Sequence, residues 1–421
     1  MKKKLLRGTA LLCLAALLWI PNLHRFYARG STAAGRQAMG AELLFAQRLD
    51  HGDVTRRDAE RDRMREANAE WDFMGRTFFV LALANDALRH PEIQADALAT
   101  IDAILEDTLR VERRYGQDHF LMGYAHASPW IDESHRSVFV DGEIAMMLAA
   151  RQRLEASERW ERPLRTRVRI IEAQMRRGPV MSAESYPDEC WTFCNTLALA
   201  AIRVSDSVTG DDHAQLLHGW LRTAQDHLID PETGLLVSSF RHDGTPLDGP
   251  EGSSIFLAAH MLTLVDPSFA RDQYERARHE LGASFAGFGW AREWPASWEG
   301  GWDVDSGPIV PIVDASAGAS GMAILGAAAF DDEAWLAELS ASLELAAFPR
   351  LGLDGLRFRA SNQVGDAVMA YALVQGPLFE RVGPAPSESV AYAPRRRSEV
   401  DAERWSTVVS TRVRGTERGE R

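Results

Sequence analysis

The chain has 421 residues, 46% of them apolar and 25% charged, with a formal net charge of −13. That composition supports a globular protein with a sizeable core, in one large domain or two. The acidic balance, with no basic helix or Arg-rich aromatic platform, argues against nucleic acid as a partner and suits a neutral or cationic one.

Lys2, Lys3, Lys4 and Arg7 precede the apolar run from Thr9 to Ile20, which Pro21 closes. A basic segment ahead of a short apolar one is the pattern of a secretory signal or signal anchor. The clean run falls short of the about 20 residues of a comfortable membrane span, and extending it to Leu5 and Leu6 buries Arg7. Ser31-Thr32-Ala33 is a distant cleavage candidate, so residues 1–30 read as an uncleaved anchor in preference to a cleaved signal. The basic residues stay inside, which puts the body outside the cytoplasm, anchored to the inner membrane or exported, with Cys190 and Cys194 in an oxidising compartment.

Residues 31–383 read as successive helical hairpins. Trp71 to Asn85 is apolar on nearly all sides, and Pro91 to Arg113 is amphipathic with Ala97, Ile101, Ile104 and Leu105 inward. The alternation recurs as Val140–Ala150 with Pro163–Arg176, Pro187–Val204 with His213–Leu228, Ser254–Leu264 with Phe269–Phe285, and Ala315–Ala329 with Glu333–Phe348. A last apolar helix, Gln363 to Val374, is expected to pair with Ala41 to Leu49. Gly234 to Phe240, followed by turn residues, is the best strand signal and reads as a short β-hairpin insertion. Residues 384–421 are rich in Pro, Ser, Glu and Arg without apolar periodicity and read as a disordered tail. Six pairs of one buried and one half-buried helix imply an all-α (α/α)6 toroid, whose inner helices line a central cavity.

Carboxylates recur where the inner helices begin: Asp72, Asp141 with Glu143, Asp188 with Glu189, Glu251, Asp303 with Asp305, and Asp366. Inner helices of a toroid run parallel, so these starts converge on one rim, as a cavity enzyme requires. Tyr186-Pro-Asp-Glu-Cys-Trp-Thr-Phe-Cys-Asn195 is the densest segment. Ser185 fits an N-cap with Pro187 in the first turn and Asp188 at the third position. Helical spacing then puts Asp188, Thr192 and Asn195 on one face and Cys190 and Cys194 on an apolar one. A disulfide within one helix at this spacing is geometrically poor, and no further His or Cys completes a metal site. Buried structural cysteine is the plain alternative.

Asp303-Val-Asp305 follows a loop holding Trp290, Trp294, Trp298 and Trp302, flat rings that suit a sugar or an apolar ligand. The plain alternative is a loop packed over the toroid with its acids on backbone amides. His135 and His126 precede the Asp141 helix and could shuttle protons, although a lone loop histidine is more often merely solvated. Gly249-Pro-Glu-Gly-Ser-Ser254 lacks the Lys and the strand–helix context of a phosphate loop.

Over nearly its whole body the chain resembles the six-hairpin (α/α)6 superfamily, and Phe193-Cys194-Asn195 on an inner helix resembles the linalool dehydratase/isomerase-like group. The resemblance implies hydration, dehydration or isomerisation of an alkenol by acid/base residues and a cysteine pair, without metal or organic cofactor. Cys194 would correspond to the second cysteine of that pair. The group's first cysteine lies further upstream than Cys190. The same fold class includes glycoside hydrolases and polysaccharide lyases, which need two carboxyls across a sugar. Terpenoid cyclases of related toroids use an Asp-x-Asp-Asp run whose last acid is replaced here by Ser306.

The expectation is a cofactor-independent acid/base enzyme acting on a small neutral hydroxylated molecule or a glycan. Asp305 or Asp188 would donate the proton and Glu143 or Glu189 would act as base, with Asp303, Tyr186, His135 and Cys194 as further catalytic candidates. Trp191, Asn195, Trp298, Trp302, Asp141 and Glu251 are the candidate substrate contacts. A non-catalytic binding toroid and a structural envelope protein are the competing readings, and a homo-oligomer is left open.

Overall fold

The computed structural model describes residues 2–383 apart from Glu299, Trp302, Asp303 and Asp305. Helices α1 (Lys2–Trp19), α2 (Ala33–Gly52), α3 (Val54–Ala67), α4 (Ala69–Arg89) and α5 (Gln94–Tyr115) come first. They are followed by α6 (Val138–Leu154), α7 (Glu158–Arg177), α8 (Thr192–Thr209), α9 (Ala214–His227) and α10 (Gly252–Leu262). The remainder are α11 (Pro267–Glu280), α12 (Ala317–Ala329), α13 (Glu333–Ala346), α14 (Gln363–Val374) and the short α15 (Pro377–Glu380).

The fold is an (α/α)6 toroid. Helix α4 packs on α6, α6 on α8, α8 on α10, α10 on α12, α12 on α14, and α14 returns to α4, which closes a ring. These are the helices that the sequence shows as apolar on all sides, and burial all round is what such a helix requires. Every residue of α6 from Val138 to Gln152 is buried. The other helices are amphipathic and form the outer layer: α5 lies against α4 and α6, α7 against α6 and α8, α11 against α10, α13 against α12, and α2 against α14. Ala97, Ile101, Ile104 and Leu105 of α5 all face inward. Fully buried Phe78, Trp220 and Phe256 each contribute about 2–3 kcal/mol of apolar burial. Helix α3, strongly charged and with little amphipathic signal, is an element that periodicity does not reveal.

Side-chain caps fix several starts on the shared rim. Asn68 caps α4, Ser137 caps α6, Ser316 caps α12 and Asn362 caps α14, each accepting a backbone N–H. The strands are short rim connections. β1 (Cys190–Trp191), β2 (Ser239–Phe240) and β3 (Pro246–Asp248) form an antiparallel sheet. β4 (Gly282–Phe285), β5 (Phe288–Ala291), β6 (Ile309–Val310) and β7 (Ala315–Ser316) form another, ordered β4-β5-β7-β6. β8 (Pro349–Gly352) and β9 (Gly355–Phe358) make a hairpin against α2. The helix expected over Phe269–Phe285 therefore ends early, and its last residues pair as a strand.

Lys2–Phe26 is long and apolar enough to cross a membrane, with none of its window buried against the body. The end of this segment and the residues that follow are strapped to the toroid. His24 Nδ1 lies 3.1 Å from the Ala286 carbonyl, and the Gly30 N–H donates to Glu344 at 2.7 Å.

Candidate active site

The dense segment before α8 is built differently from the sequence expectation. Ser185 does not cap a helix, and residues 187–191 are not helical. Tyr186 and Glu189 instead exchange backbone hydrogen bonds of 2.9 and 3.0 Å around a tight turn, with Asp188 in the left-handed region at φ 56°. Cys190 and Trp191 then pair with β2, and α8 starts only at Thr192. The turn holds because buried Glu184 accepts the N–H groups of Ile131 (3.0 Å), Asp132 (2.7 Å) and Asp188 (2.6 Å). Asn195 spends its carboxamide on the same framework: it accepts from Ala183 N at 2.8 Å and donates to the Ala183 and Trp191 carbonyls. Asp188 and Asn195 thus do not share a helix face. Asp188 is turned outward onto Arg241 at 2.5 Å, and Asn195 is a fully buried staple.

What the turn presents inward is Tyr186, Glu189 and Trp191. The Tyr186 hydroxyl donates to Glu70 at the start of α4 and accepts the Met122 N–H at 3.0 Å. Tyr124 stacks on Tyr186 with centroids 4.5 Å apart and reaches Glu189 at 3.5 Å, which also accepts the Trp191 indole N–H. Burial, followed by the charge of Glu70, raises the Tyr186 phenol far above its ordinary value and keeps it protonated.

Glu143, one turn into α6, is 1% exposed. Thr77 of α4 donates to its Oε2 at 2.6 Å, and its Oε1 is buried without a partner among the described residues. Burial pushes its carboxyl up to about 8, the Thr77 bond pulls the other way, and the nearby charge of Glu70 adds to the rise. A carboxyl of this kind holds a proton at neutral pH. Cys194 is buried nearby and hydrogen-bonded to Ser185; burial first, and then the charges of Glu70 and Glu189, keep it a thiol. Cys190 is also buried but faces a different set of charges, Glu184 first. Both cysteines are free. On the same helices, Phe139 lies 6.2 Å from Phe193 and 5.4 Å from Phe73.

The remaining sequence candidates sit elsewhere. Asp141 is fully buried and bound by Arg136 (2.6 Å), Arg167 and Gln117 (3.0 Å), so its carboxylate points outward between α6 and α7 and not into the ring. His135 is in an exposed loop at φ 50°. Glu251 accepts from Ser254 at 3.2 Å at the start of α10, and Trp298 lies over Gly249. Asp303, Asp305 and Trp302 lie outside the described residues. Three members of the constellation escaped sequence reasoning: Glu70, Thr77 and Tyr124. Thr77 is the polar interruption in an otherwise apolar stretch of α4, and Glu70 stands two residues before the Asp72 that drew attention in its place. Glu293 was also missed; it is buried at 1% and gathers hydroxyls from Ser253, Ser306 and Ser316 on the α10 and α12 side of the rim.

Among solved structures the chain is similar to a GH76 α-mannanase of Bacteroides thetaiotaomicron, at 11% identity and TM-score 0.47, covering 73% of this chain and 86% of that one. It is also similar to a GH76A α-1,6-mannanase of Salegentibacter sp., at 12% identity and TM-score 0.46, covering 73% and 90% respectively. A family model for linalool dehydratase/isomerase matches residues 140–361, from the start of α6 to the entry of α14. That match takes in Glu143, Tyr186, Glu189, Trp191 and Cys194 and extends over more than half of the sequence, so the chain belongs to the linalool dehydratase/isomerase family.

Proposed function

We propose that this protein is a cofactor-independent lyase or isomerase that removes, adds or relocates a hydroxyl on a neutral, largely apolar alcohol. The observation that carries the reading is Glu143: a protonated carboxyl whose Oε1 is buried without a partner among the described residues. Glu143 is the general acid, giving its proton to the substrate hydroxyl so that the C–O bond breaks and water leaves. Glu70, through the Tyr186 hydroxyl, is the base that takes a proton from the adjacent carbon as the double bond forms. One proton leaves Glu143 and one arrives on this pair, and its return resets the site. Hydration is the same sequence reversed. Cys194, as a thiol beside these carboxyls, lines the reacting centre. The apolar Lys2–Phe26 segment supports placement at a membrane, where such an alcohol partitions.

The test is to assay the full chain in detergent against a panel of alkenols and, in parallel, α-mannans. Water loss or double-bond migration in the alkenols is expected, with Glu70→Gln reducing turnover by at least about 100-fold. Sugar release without alkenol turnover, or full activity in Glu70→Gln, would overturn the proposal.

A further inference from the structure

An antiparallel sheet on a protein surface ordinarily packs one apolar face inward and turns a polar one to water. Sheet β4-β5-β7-β6 departs from this. Its register puts Ala291, Ser316 and Ile309 on one face, all buried, against α12 and α13. The opposite face carries Ala283, Phe285, Phe288, Trp290, Ala315 and Val310, every one apolar. Phe285 is 67% exposed and Val310 52%, and Ile312, in the turn between β6 and β7, is wholly exposed. An open apolar surface of this kind marks a contact with another body. The N-terminal segment is seated on its edge. His24 and Tyr27 lie against the Phe288 ring, with centroids 6.4 and 6.1 Å away, and the His24 contact to the Ala286 carbonyl falls in the same turn. Gly287, at φ 82°, is needed there, because a Cβ would strike the His24 imidazole. Beside this clamp, exposed Trp19 and Phe26 stack at 6.0 Å. Aromatic rings at the end of an apolar run are what a membrane–water boundary collects.

We infer that the outer face of this sheet rests on the lipid bilayer beside the N-terminal segment, with Phe285, Val310 and Ile312 at the boundary between headgroups and acyl chains. The clamp decides the occupant. If Lys2–Phe26 crosses a membrane, the turn that holds His24 lies at the membrane surface, and Phe285, next to that turn, lies there with it. The contact is apolar and needs no anionic lipid. One consequence rests on the function proposed above. From Phe288 to Ala291, opposite the Ser316 that caps α12 on the rim, is about 10 Å of strand. An apolar alcohol would therefore leave the bilayer close to the mouth of the ring.

The experiment places an environment-sensitive fluorophore on the full chain carrying Cys13→Ser and Ile312→Cys; Cys190 and Cys194 are buried and stay unlabelled. The protein is reconstituted into phosphatidylcholine vesicles with plain or brominated acyl chains. Bromine should lower the emission at least about twofold, since a surface-bound apolar element sits within reach of the acyl chains. The same label at Thr166→Cys, exposed on α7 across the ring, should be unaffected. Phe285→Asp with Val310→Asp should bring the signal at 312 to the Thr166 level while the chain stays on the vesicles through its N-terminal segment; both side chains are exposed, so the fold is kept. Equal quenching at the two positions, quenching that survives the double Asp variant, or emission that follows protein concentration and not lipid, the mark of a second copy on this face, would each overturn the inference. The label reads contact whatever the protein turns over, so failure of the alkenol assay leaves this result independent.

Discussion

Replacing Glu143 by Gln keeps the shape of the side chain and its contact with Thr77 while removing the titrating proton. The wild-type carboxyl is pushed from 4.5 to about 8, chiefly by burial. Between those values the folded protein retains a proton that the unfolded chain has released. Stability therefore falls as pH rises through that window and levels off above about 8. At about 1.4 kcal/mol per pH unit, the span from 4.5 to about 8 amounts to about 5 kcal/mol. Glu143→Gln lacks this term, so the variant should gain steadily on the wild type from pH 5 to pH 8. Urea unfolding of both proteins at pH 5, 6.5, 8 and 9 measures the difference, and other titrating groups cancel because both chains share them. Parallel stability curves would refute the assignment of a buried protonated carboxyl. The same titration should appear in catalysis: wild-type turnover should drop about tenfold per unit above pH 8, and the Gln variant should lose at least about 100-fold.

Asp141→Ala tests the structural role of the neighbouring acid. Removing it leaves Arg136 and Arg167 with Glu112 as the carboxylate they share, and urea unfolding should show a loss of about 3 kcal/mol. His213 is raised by its bond to Asp206, so its contribution is present below its ordinary value and is lost as pH rises through the raised one. His213→Gln should therefore lower Tm at pH 5.5 and leave it nearly unchanged at pH 9; an equal drop at both would overturn that reading.

The toroid was legible because its two helix classes carry different burial patterns, and period and polarity report burial directly. Gln363–Val374 agrees with the expectation to the residue. Local chemistry was misleading where tertiary contacts outbid it. Ser185, Pro187 and Asp188 have the right types for a helix start, yet Glu184 binds three backbone amides from two loops and turns the chain into a hairpin. Nothing near position 184 in the sequence announces that. Asp141 and Glu143 illustrate the other limit. Spacing alone says that they point in different directions, and only the position of Arg136 and Arg167 decides which one faces the ring. Glu70 became visible only once Tyr186, 116 positions later, was brought to it.

Closing the ring also imposes an order on folding. The seam between α4 and α14 is stitched by Arg89 Nη1 to the Val374 carbonyl and by the Leu378 N–H to Asn85 Oδ1, across 285 and 293 positions. Contacts at such separation cost loop entropy before they return any stabilisation. Until α14 is available, the partly formed arc presents the apolar flank of α4 to solvent, where Phe78 is later covered by Tyr371 at 5.9 Å. The nascent chain is thus an open crescent with one adhesive end, a state exposed to intermolecular pairing until its final inner helix clicks the circle shut.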